Sequence, residues 1–129
     1  LVAKGLEQAE EIARTLSTRP ISKVVSSPAL RCLQTVQPLA DELGLSVEIR
    51  PGLAEGVDFE QALDLLNSLP DDSAACSHGD VIPEVIRALE RRGMDVTGMR
   101  DTRKGATWVL ERSDGRFVAA HAIAPPGKD

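Results

Sequence analysis

Ser73-Ala74-Ala75-Cys76-Ser77-His78-Gly79-Asp80-Val81-Ile82-Pro83-Glu84-Val85-Ile86 is the stretch on which the reading of this chain turns. Residues 73–77 are small or apolar, and from Val81 onward apolar side chains recur at helical spacing. The pattern predicts a strand over 74–77 that ends in His-Gly, then a helix from Asp80 to about Arg92 with Asp80 as its cap. The first amides of such a helix lack intrahelical partners and sit at the positive end of its dipole. The imidazole of His78 and backbone N–H groups from Gly79 onward then point at one spot, which suits an anion such as phosphate. The competing reading of His78 is a structural histidine satisfied at a strand end.

Outward from that stretch, helices alternate with short strands. Leu6, Ala9, Ile12, Ala13 and Leu16 mark a first helix between Gly5 and Pro20. Residues 21–26 read as a buried strand through Val24 and Val25. Ser27 and Pro28 suit the cap and first turn of a second helix, which Gly44 ends and Pro38 should kink or split. Residues 45–49 form a strand, 50–56 a loop, and Asp58 caps a third helix that reaches Leu69. Gly93 ends the fourth helix, and residues 94–104 read as polar and irregular. Two strand-like runs, 106–112 and 116–123, flank the hairpin signal Ser113-Asp114-Gly115, and 124–129 reads as a frayed tail.

This order predicts one α/β domain over residues 1–129, three-layered α/β/α around a mainly parallel sheet. Sites in such sheets gather at the carboxyl ends of strands, where the loops 26–31, 52–56 and 77–80 converge.

Composition narrows the function classes. With 129 residues the chain can bury a core without staples, and its 42% hydrophobic content excludes global disorder. Only 2% is aromatic, so stacking platforms for single-stranded nucleic acid are missing. The net charge of −5 and scattered basic residues disfavour binding to a broad polyanion, so no nucleic-acid partner is expected. A small anion remains accessible to a few convergent arginines. Cys32 and Cys76 lie in apolar contexts and read as buried free thiols of a reducing, cytoplasmic compartment. No apolar run approaches membrane-spanning length, and no membrane partner is expected. Leu1 is not an initiator Met and stands almost directly before a helix, so the start is read as truncated, processed or cut from a longer protein.

Among candidate site residues, Arg31 falls early in the second helix and offers a planar fork that fits phosphate oxygens. A solvated surface arginine is the even alternative. Thr35, one turn on, reads as packing or bonding to backbone. Glu55 lies between Ala54 and Gly56 on a loop, where a carboxyl in a closed environment donates a proton to a leaving group. In an open one it is an ordinary solvated loop residue. His121 reads as an edge position without a role. Two histidines and two cysteines share no metal-ligand spacing, and neither a P-loop nor a nucleophile elbow is present, so neither metal nor cofactor is expected.

Four motifs in order resemble the histidine phosphatase superfamily, the phosphoglycerate-mutase-like fold. They are Ala3-Lys4-Gly5-Leu6-Glu7-Gln8-Ala9, the block Ser26-Ser27-Pro28-Ala29-Leu30-Arg31-Cys32-Leu33-Gln34-Thr35, Glu55, and Ser77-His78-Gly79. Each is weak alone, while their order and spacing are specific. Within the superfamily the chain is similar to small SixA-type phosphohistidine phosphatases. Arg103-Lys104-Gly105-Ala106-Thr107-Trp108-Val109-Leu110 also resembles the phosphatase domain that follows a Nudix domain in two-domain hydrolases.

The resemblance implies a metal-independent phosphohydrolase acting through a phosphohistidine intermediate on a phosphomonoester, a phosphohistidine or a nucleotide polyphosphate. Its partner would be a small phosphorylated substrate or a phosphoprotein, with a Nudix domain in the parent chain. It implies that His78 and Arg31 hold the transferring phosphoryl group beside Gly79, and that Glu55 is the proton donor. The chain departs from the family where an early strand and an Arg-His motif should precede Ala3, since neither His78 nor His121 matches that histidine. The expectation is an N-terminally incomplete domain. The alternative is a non-catalytic phosphate- or nucleotide-binding regulatory module.

Overall fold

The computed structural model describes residues 3–103 and 106–126. Helix α1 (Ala3–Leu16) leads into strand β1 (Lys23–Ser26), then α2 (Leu30–Leu43), β2 (Val47–Ile49) and a 3₁₀ turn at Pro51–Leu53. Helix α3 (Phe59–Ser68), β3 (Ser73–Cys76), α4 (Ile82–Arg91), β4 (Asp95–Thr97), β5 (Thr107–Ser113) and β6 (Arg116–Ile123) complete the order.

The strands form two three-stranded sheets, β2-β1-β3 and β4-β6-β5. The first is wholly parallel, with Val25 opposite Glu48 on one side and Ala75 on the other. In the second, β4 runs parallel to β6 and β5 antiparallel to it. The fold is therefore α/β and mainly parallel, as expected, with the strands divided between two sheets.

Alternation along β1 builds the layers, because successive side chains point to opposite faces. Val24 packs with Ala13 of α1 and Val36, Leu39 and Ala40 of α2. Its neighbour Val25 packs with Leu63 and Leu65 of α3 and Val85, Ile86 and Leu89 of α4. Ala120 of β6 joins this second cluster, with Trp108, Leu110 and Phe117 against it, so α3 and α4 serve both sheets.

Several local expectations are corrected. Pro38 does not split α2, which runs unbroken to Gly44 at φ 70°. Ser27 is not its cap: Ala29 occupies that position with extended backbone and no side-chain bond. Asp80 does not cap α4 either, since that helix begins at Ile82 after Val81, which is itself in the right-handed helical region. Asp58 does cap α3, accepting the Glu60 N–H at 3.0 Å. Residues 95–97 form β4 where an irregular stretch was expected, because Val96 finds a place against the main core. The hairpin stands, with φ of 52° at Asp114 and 77° at Gly115, the mirror-image turn that matches strand twist. Lys104 and Gly105 of the 103–110 motif, and 127–129 of the tail, lie outside the described residues.

Candidate functional site

The parallel register Ser26↔Cys76 sets the ends of β1 and β3 side by side. Beyond the register, the Ser27 N–H donates to Cys76 O at 3.0 Å, so the chains leave the sheet together. Ser27 and His78 are consequently neighbours across the two strand ends. Each is buried, at 0% and 5% exposure.

The His78 ring is held on both nitrogens. Nε2 lies 2.7 Å from Ser27 Oγ, and Nδ1 lies 3.1 Å from an Arg31 Nη2 that can only donate. Ser27 Oγ also accepts the Ala29 N–H at 3.2 Å, which fixes the hydroxyl in the turn that opens α2. Cys32, buried one residue beyond Arg31, brings Sγ to 3.7 Å from Nε2 and 3.6 Å from Ser77 O. Thr35 bonds backbone, as expected, donating to Arg31 O at 2.7 Å.

Arg31 Nη2 also donates to Glu55 Oε1 at 3.1 Å, which brings the three expected site residues into one chain of contacts. The side chains of Arg31 and Glu55 are 56% and 66% exposed, so this ion pair is open to solvent and weak. Glu55 thus stands at the open rim of the substrate-free site, paired with Arg31. Its loop is anchored from below: Ser77 Oγ donates to Leu53 O at 2.6 Å, and Asp80 Oδ2 accepts the Gly56 N–H at 2.9 Å. The convergence expected of three loops is thus seen as direct bonds among them.

Gly79 follows His78 in an exposed turn, and a side chain built there would meet nothing within 4 Å. The amides of Val81 and Ile82 both donate to His78 O at 3.0 Å, so the anion-binding role expected of them is replaced by a turn that orients His78. His121 lies in the second sheet opposite Thr97 and Val109, and no hydrogen bond described joins it to Arg31, Glu55 or His78.

The two thiols behind the site differ. Its hydrogen bond with Cys76, helped by Ser27 and by the Arg31 charge, lowers Cys32 to about 7 against the cost of burial. The same hydrogen bond, together with burial, raises Cys76, which stays a thiol.

Sequence reasoning reached His78, Arg31 and Glu55 but gave Ser27 only the role of a helix cap. The available signal was a pair of small polar residues, Ser26-Ser27, closing an apolar strand: both are fully buried, and a buried hydroxyl needs a partner.

Chemically, the arrangement offers a fixed guanidinium, an imidazole and an open rim, which together can hold a phosphate-sized anion. Residues 1–62 match the histidine phosphatase superfamily (branch 1). An 8-oxo-(d)GTP phosphatase of Mycolicibacterium smegmatis is 33% identical over 95% of this chain, which spans 40% of that protein's length. Among solved structures, the protein histidine phosphatase SixA complexed with tungstate superposes with a TM-score of 0.73 at 22% identity, over 92% of this chain and 79% of that one. The mycobacterial glucosyl-3-phosphoglycerate phosphatase Rv2419c superposes at 0.60 and 18% identity, over 70% of this chain and 68% of that one. At these identities the two structures show the shared fold.

Proposed function

We propose that this chain, which belongs to the histidine phosphatase superfamily, holds the transferring phosphoryl group between Arg31 and His78 in a metal-independent phosphohydrolase that works through a phosphohistidine intermediate. One observation carries this reading: residues 47 apart in sequence meet at 3.1 Å over the carboxyl ends of two adjacent parallel strands. Charge on the phosphoryl oxygens is met by the Arg31 fork and the His78 ring, already in place before substrate arrives. Of the three substrate classes, a nucleotide polyphosphate is favoured by the name of the Mycolicibacterium relative. A Nudix domain elsewhere in the parent chain fits the share of that relative lying outside the match.

His78 is not assigned the attack on phosphorus. Nδ1 accepts from Arg31 and Nε2 carries its hydrogen toward Ser27, so the ring's one in-plane lone pair is engaged in the resting site. By the family resemblance the attack belongs to the histidine of an Arg-His motif, which neither His78 nor His121 matches.

The test is hydrolysis of p-nitrophenyl phosphate by the full natural protein. Arg31→Ala and His78→Ala should each lower kcat/KM by roughly 10²-fold or more. Variants as active as the parent would refute the assignment. The engagement of both His78 nitrogens also favours a second reading, a binding module without turnover. Tungstate affinity with no hydrolysis by the full protein would select it.

A further inference from the structure

We propose that Ser27 is a positioning residue: its hydroxyl holds the His78 ring with the hydrogen on Nε2, leaving Nδ1 as the face that meets the anion, so that anion capture is accompanied by proton uptake at His78. The first half stands on geometry alone. A guanidinium nitrogen has no lone pair, so at 3.1 Å from Arg31 Nη2 the Nδ1 atom must be the acceptor. In a neutral ring the hydrogen then sits on Nε2, and at 2.7 Å Ser27 Oγ accepts it. The opposite arrangement, with Ser27 donating to Nε2, would put an Nδ1–H against the Arg31 donors. The Ser–His contact is therefore a brace, and Ser27 is not a nucleophile activated by His78.

The second half rests on the reading of Arg31 and His78 as phosphate ligands. An anion arriving at this face offers acceptors only. Arg31 turns its hydrogens to the anion, and Nδ1 meets the anion as a donor only when it too carries a hydrogen. With Nε2–H still held by Ser27, the ring is then an imidazolium, and one proton has come from solvent. The groups facing His78 are Arg31 and Cys32 from α2 and Ser27 from the end of β1. Glu55 stands behind Arg31, and Asp80 is turned to Gly56.

The chain has two histidines, so selective ¹⁵N labelling gives two ring systems, which His121→Gln assigns. In the free protein on the alkaline side of neutrality, His78 should show a pyrrole-type Nε2 and a pyridine-type Nδ1. Ser27→Ala, with Arg31 still donating to Nδ1, should keep this tautomer but shift the Nε2 resonance and weaken tungstate binding about tenfold, and Ser27→Thr should restore both. A dominant Nδ1–H form, or an unchanged Nε2 resonance together with unchanged tungstate affinity in Ser27→Ala, overturns the brace. If Ser27→Ala fails to fold, the wild-type and Ser27→Thr spectra decide.

Calorimetry of tungstate binding in two buffers of different ionisation enthalpy reads the second half. Uptake of about one proton per anion is expected, and zero uptake overturns it. Absence of tungstate binding overturns the coupling together with the phosphate-site reading. The tautomer result stands apart from both.

Discussion

Asp80 accepts the Gly56 N–H at 2.9 Å, and through this bond the loop carrying Glu55 is tied to the turn that carries His78. Ser77 Oγ, donating to Leu53 O, is the second tie between the same two segments. Asp80→Ala should therefore free the Glu55 loop while leaving the core intact. Amide exchange at Gly56 should quicken by roughly fivefold, the ~1 kcal/mol of one hydrogen bond felt locally, and exchange at Leu63, in the core, should not change. Equal acceleration at both amides would show that Asp80 supports the whole fold.

Arg112 joins the second sheet to the end of α3. Its guanidinium donates to Leu66 O at 3.3 Å, Leu69 O at 2.7 Å and Asp71 Oδ1 at 2.7 Å, and stacks over Phe117 at 5.5 Å. With 17% of the side chain exposed, these bonds are sheltered, whereas Asp71 is open. Both carbonyls lie at the C-terminal end of α3, where Leu66 O also accepts the Leu69 N–H at 3.2 Å. Arg112→Ala should cost about 2 kcal/mol by urea denaturation. Arg112→Lys should recover little, since an ammonium cannot fork to both carbonyls while lying flat on the ring. Full recovery by lysine would mean that charge alone matters.

Cys32, lowered to about 7 by its hydrogen bond with Cys76, should lose its proton in the folded protein before it does so in the unfolded chain. Between that value and the ordinary thiol range the unfolded state binds more protons, so Cys32 contributes stability that grows as pH rises through this window. Cys76 is shifted upward and contributes the opposite slope above the ordinary thiol range. Chemical denaturation of the wild type and Cys32→Ser should show the rise only in the wild type. Parallel pH profiles would contradict the shift.

The fold was largely legible because it is written in spacing. The apolar residues of α1 and α2, the Val24-Val25 pair and the Asp114-Gly115 turn all act locally, and each element formed close to its expected bounds. The division into two sheets was not legible, since strand pairing depends on contacts distant in sequence, such as Val96 opposite Ala120. In the site, Arg31 and His78 were found through residue type and place at strand ends. Ser27 and Asp80 were assigned to helix caps because short polar residues before a helix favour that role. Each had a stronger partner in another loop, His78 and the Gly56 N–H, which local pattern does not reveal.

The central claim is that Arg31 and His78 together form a phosphate site, and tungstate titration by calorimetry tests it most directly. The wild-type protein should bind, and Arg31→Ala and His78→Ala should each weaken binding by roughly 10- to 100-fold, the worth of a charge-assisted hydrogen bond. Removing both should add little to either, because the two side chains act on one anion. Undiminished binding in both single variants, with the fold intact, would place the anion elsewhere and contradict the account.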